Sequence, residues 1–98
     1  MKFVINPHQT SELVGIEVSH QGKCVSFHPI FQDDVVSFIT YYLDCIKVEQ
    51  MSAFGVTEWC ITDREGFIVE GMFDSIIDAE TKCGEIKQLK PEIKWKAF

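Results

Sequence analysis

Leu13 to His28 reads LVGIEVSHQGKCVSFH, and its alternation decides the fold. Val14, Ile16 and Val18 fall on one side of an extended chain and Gly15, Glu17 and Ser19 on the other, the period of a half-buried strand. Gln21 and Gly22 sit where a two-residue turn belongs, and Gly22 is free to take a positive φ. A turn of that length sets His20 opposite Lys23, Val18 opposite Val25 and Ile16 opposite Phe27. Four apolar side chains then meet on one face, and a slip of one residue would scatter them. The expected element is an antiparallel hairpin with Phe27 in the core.

Working outward, Met1 to Asn6 reads as a short strand stopped by Pro7, followed by a polar connector at residues 8–11. Pro29 closes the hairpin. A helix opens at Gln32 or Asp33, with Asp34 in its first turn, where acids suit the helix dipole. At 100° per residue Val35, Val36, Phe38, Ile39, Tyr42, Leu43, Cys45 and Ile46 share one broad face, and the helix is expected to run to about Gln50. A second hairpin, Val56–Asp63 with Phe67–Phe73, turns through Arg64-Glu65-Gly66. Its expected register sets Ile61 opposite Val69, Trp59 opposite Gly71 and Thr57 opposite Phe73. Ser75 caps a second helix that buries Ile76, Ala79, Cys83 and Ile86 and ends before Pro91. Residues 92–98 alternate as a last strand.

The resulting order is β-ββα-ββα-β, an α+β fold in which an antiparallel sheet carries two helices on one face. Ninety-eight residues leave room for a single core, so residues 1–98 are expected to form one compact domain. A hydrophobic fraction of 46% and a charged fraction of 24% are those of an ordinary globule, neither disordered nor fibrous.

Charge narrows the class of partner. Nine basic and fifteen acidic residues give a formal net charge of −6, which repels nucleic acid and anionic membrane and favours a protein partner with a basic surface. Lys82, Lys87, Lys90, Lys94 and Lys96 make the C-terminal end locally basic. Residues 1–7 hold three adjacent apolar side chains, short of a signal-peptide core, and no run approaches the length of a membrane span. A cytoplasmic protein with four reduced cysteines is expected.

Motifs for chemistry are missing. His20, Cys24 and His28 have even spacing, yet along the expected hairpin His28 lies about 13 Å from Cys24, too far for one ion. No metal and no cofactor is expected. Cys45 and Cys83 fall on apolar helix faces, and Cys60 lies between Glu58 and Glu70, a field that suppresses a thiolate. No paired carboxylates converge, and no glycine-rich phosphate cradle or nucleophile elbow occurs. The chain therefore reads as a non-enzymatic protein-binding domain, an inhibitor, immunity or accessory factor of mobile-element type that occupies a partner surface. The expected contact residues are Tyr41, Asp44 and Val48 on the outer face of the first helix, with Asp63, Arg64 and Glu65 projecting at the second hairpin's tip. The alternative is a sheet-based nucleic-acid binder using Lys94, Trp95 and Lys96. Unpaired terminal strands would also permit a homodimer.

Overall fold

The computed structural model describes residues 1–8 and 11–96. Parts of the expected connector at 8–11 and of the expected last strand lie outside that set. Strands β1 (Lys2–Pro7), β2 (Leu13–His20) and β3 (Lys23–Phe31) lead through a 3-10 turn to helix α1 (Val35–Cys45). Strands β4 (Lys47–Ala53), β5 (Val56–Thr62) and β6 (Ile68–Phe73), helix α2 (Ile76–Gln88) and strand β7 (Glu92–Trp95) complete the order. The class is α+β, as the alternation of periods implies.

The sheet and the first helix depart from the expectation. The strands form two sheets, ordered β3-β2-β1-β7 and β4-β5-β6, and β7 runs parallel to β1. The first helix stops at Cys45, and residues expected to prolong it become β4. Val48 and Met51, three residues apart, fit a helical spacing well enough to mislead. Pairing of all seven residues of β4 with β5 overrides that local preference. The chain divides into two compact units, Met1–Tyr41 with Lys90–Phe98, and Tyr42–Leu89.

In the first unit Phe3 and Ile5 of β1 are fully buried, opposite Val18 and Ile16 of β2. Gln21 and Gly22 take φ of +53° and +78°, the doubly positive pair of a type I′ turn, and His20 meets Lys23 as expected. The register then shifts by one residue at a bulge. Ser19 pairs with Cys24 and Val18 with Ser26, which leaves Val25 as the extra residue. The shift reverses the face of everything beyond it. Ile16 lies opposite His28 and Glu17 opposite Phe27, so Phe27 is 60% exposed instead of in the core. Its ring lies over Gly15, where a Cβ would run into it. On the opposite face His28 Nε2 hydrogen-bonds Ser26 Oγ at 2.8 Å, and its ring lies 4.9 Å from that of Phe38 in α1. Val35 and Ile39 of α1 are buried, whereas Val36 is 74% exposed, so the helix's apolar stripe is narrower than its composition suggests.

In the second unit α2 packs on the β4-β5-β6 sheet through Ala79, Cys83 and Ile86, all buried as expected; Ile76 stays partly exposed. Ser75 Oγ accepts the Ile77 N–H at 3.2 Å, the expected cap. The β5–β6 register is irregular: Trp59 lies opposite Phe73, Ile61 opposite Glu70 and Thr62 opposite Ile68. Gly66 takes φ +89° in the connecting loop, a conformation that suits glycine.

Candidate protein-docking surface

The residues expected to contact a partner separate into three environments. Tyr41 and Asp44 are exposed on α1, one turn apart. Asp44 also has a structural part, since its carbonyl accepts Lys87 Nζ at 3.2 Å. Val48 is not on a helix at all; it is half-buried in β4 opposite Ile61. Arg64 and Glu65 are exposed at the β5–β6 loop. Asp63 does not project there. It has no exposed surface, and its carboxylate is used internally. Oδ1 accepts the backbone N–H groups of Glu65 and Phe67, both at 2.9 Å, and Oδ2 accepts the hydroxyl of buried Tyr42 at 2.8 Å. The carboxylate closes the loop on itself and ties it to the end of α1, so Asp63 supports the surface from beneath.

The feature missed in the sequence is the β4–β5 hairpin. Phe54 and Gly55 form its turn with φ of +53° and +78°, and Phe54 is fully exposed at the tip. Met51, Val56 and Met72 are also exposed, at 39%, 56% and 52%. Together with Glu49 and Glu58 these side chains line an open concavity of about 560 Å³. Register explains the grouping. Glu49 pairs with Cys60, Met51 with Glu58 and Ala53 with Val56, so Glu49, Met51, Val56 and Glu58 point to one face of the ladder. The turn residues did not advertise this, because an aromatic at positive φ is rare and Phe-Gly lacks the usual Asn-Gly signature.

The thiols near this surface are subdued. Burial first, and then the Glu49 carboxylate, push the Cys60 thiol above its usual range. Burial also raises Cys83, with Lys87 pulling down and Glu80 pushing up by smaller amounts. Cys24 is exposed and Cys45 is only half-buried, less shielded than its expected core position. Among the described residues no three His, Cys, Asp or Glu side chains are grouped as a metal site would need. Among them, too, no helix is long and apolar enough to cross a membrane.

No family model, curated protein or solved structure matches the chain. Charge is therefore the broadest guide to the surface, and it is unevenly divided. The first unit holds five acids and five bases, whereas Tyr42–Leu89 holds ten acids and four bases and so carries the whole net charge of −6. Two lysines of the basic C-terminal run belong to that acidic unit. Lys82 pairs with Glu85 at 3.7 Å, and Lys87 donates to the Asp44 carbonyl.

Proposed function

We propose that the protein is a non-enzymatic, cytoplasmic binding domain that docks on a basic surface of another protein through the Tyr42–Leu89 unit, with the β4–β5 hairpin as its contact. The observation that carries this reading is the coincidence of two properties in one unit. It holds all the net negative charge, and its β4–β5 hairpin presents Phe54, Met51 and Val56 to solvent, with Met72 of β6 exposed as well. An apolar anchor within a charged rim is the usual anatomy of a protein interface, and exposed methionines adapt to a partner's shape. The contact surface thus moves from the outer face of α1 to the hairpin, with Tyr41, Asp44, Arg64 and Glu65 elsewhere on the exposed surface. An inhibitor or immunity-like factor that fills a groove made for nucleic acid is one form of such a protein.

The sheet edges of the first unit support a different partner over a second copy of the chain. Strand β3 carries Pro29 and a bulge, and β7 is four residues long with Lys94 at its centre, all devices that discourage strand pairing. The test is affinity capture compared across variants and salt. Capture by the wild type that weakens as salt rises, is lost in Phe54→Ser and survives Lys94→Glu with Lys96→Glu supports the reading. Capture that survives Phe54→Ser and fails in the lysine variant overturns it, and a gel shift with single-stranded oligonucleotide would then install the nucleic-acid reading instead.

A further inference from the structure

The chemistry of the hairpin concavity names its occupant more narrowly, resting on the docking reading above. The turn end is apolar, with Phe54 and Val56, and Met72 also lines the concavity. Met51 follows directly opposite Glu58, and Glu49 lies one step farther from the turn on the same ladder face. Glu49 and Glu58 are diagonal across the two strands, a separation within reach of long side chains. Glu49 already has a cation, Lys47 Nζ, 3.1 Å away on the same strand. That pair is exposed, and Glu58 adds a second negative charge beside it, half-buried against the apolar wall.

We infer that the concavity receives an arginine side chain from a basic segment of the partner protein. An arginine has the same two parts in the same order: an apolar stem, and a planar cation whose fork of donors fits carboxylates. Its stem lies along Met51 and Val56, its guanidinium reaches Glu58 and Glu49, and its flat face stacks on Phe54 or on the Met72 thioether side of the wall. A purely apolar side chain would desolvate the Glu58 carboxylate without bringing a counter-charge and would leave Glu49 with Lys47 alone, which costs free energy. A lysine supplies the charge without the planar fork, so it should bind less well. The acidic unit adds long-range attraction that any basic segment feels, and the concavity adds the preference for arginine.

The experiment is a titration of the whole protein, labelled at the methionine methyls, with a short peptide of alternating serine and arginine. Matched peptides carry lysine, citrulline or leucine at the arginine positions. The expected result is saturable shifts of the Met51 and Met72 methyls with the arginine peptide, several-fold weaker binding by lysine and no saturation with citrulline, which keeps the shape and loses the charge. Glu49→Gln with Glu58→Gln, changes that keep side-chain volume, should weaken the arginine peptide at least about tenfold while the urea midpoint holds. Equal binding of citrulline, or shifts that leave Met51 and Met72 unmoved, overturns the inference. Saturation at the same methyls by the leucine peptide also overturns it, but leaves hairpin docking standing. Loss of salt-sensitive capture in Phe54→Ser remains the separate test of docking.

Discussion

Replacing Asp63 by alanine removes a carboxylate that has no exposed surface and accepts three hydrogen bonds. Hydrogen bonds to a charged group are worth about 1.5–3 kcal/mol each, but the three losses are unequal. The Glu65 and Phe67 amides are only partly buried, so water recovers much of what they lose. The Tyr42 hydroxyl sits on a residue 3% exposed and would lose its bond to Asp63 Oδ2, at a cost of about 1–3 kcal/mol. Asp63→Ala is therefore expected to destabilise by about 3–4 kcal/mol, among the larger single-site effects. Asp63→Asn keeps an oxygen for the two amides and should lose only about 1–2 kcal/mol. Tyr42→Phe alone should cost about as much as the asparagine change. Combined with Asp63→Ala it should add little, a coupling of at least about 1 kcal/mol. Urea unfolding followed by the fluorescence of Trp59 and Trp95 supplies the values, with an unchanged m as the sign that only stability has moved. Glu65→Ala, exposed on the same loop, is the control and should stay within about 0.5 kcal/mol. An Asp63→Ala loss no larger than that of the control, or strict additivity with Tyr42→Phe, refutes the buried network.

Further outcomes follow from burial and backbone. A chromogenic disulfide reagent should modify Cys24 at once and Cys60 and Cys83 only as fast as the fold opens, with Cys45 between them. The raised Cys60 and Cys83 also set an alkaline limit. The native state holds those protons after the unfolded chain has released them, so their contribution is whole below about pH 9 and is lost as pH rises beyond it. Urea midpoints from pH 8 upward should fall less steeply in Cys60→Ala with Cys83→Ala. Ile39→Ala and Ile46→Ala remove side chains 3% and 1% exposed and should each cost about 2–4 kcal/mol, while exposed Thr40→Ala should cost under about 0.5 kcal/mol in the same assay. Gly84, inside α2 with open space where a Cβ would stand, should gain about 0.5–1 kcal/mol as alanine. Gly55, at φ +78°, should lose about 1 kcal/mol on the same change.

What the sequence revealed depended on how local its determinant was. The Gln21-Gly22 turn, the Ser75 cap and the Ala79-Cys83-Ile86 stripe rest on a few neighbouring residues, and all three appear where they were expected. The bulge after Cys24 does not, because Val25 and Phe27 share a phase and nothing nearby states which one the sheet will skip. Strand β4 was hidden for a similar reason: no glycine or proline separates Cys45 from Lys47, and its strand character comes from pairing with β5. Asp63 was legible in principle. An aspartate whose carboxylate accepts the turn amide two residues on is a common local closure, yet its charge suggested a solvated tip. The apolar concavity at the hairpin was the hardest to see, since Met51, Phe54 and Val56, with Met72 of β6, line one surface only once β4 exists.

The closure of the β5–β6 loop by Asp63 also separates two properties that normally go together. Arg64, Glu65, Gly66 and Phe67 are exposed, so the loop is open to change in its side chains. Its backbone is held as a strand's would be: the Glu65 and Phe67 amides go to Oδ1, Gly66 N–H to the Asp63 carbonyl at 3.1 Å, and Asp63 N–H to the Phe67 carbonyl at 2.9 Å. The Glu65 and Phe67 amide hydrogens are expected to exchange with solvent deuterium chiefly when that carboxylate lets go, which slows exchange in a loop open to solvent. Sequence variation at Arg64 and Glu65 is thereby uncoupled from loop shape, and the carboxylate acts as a fixed backbone acceptor on which new side chains can be displayed.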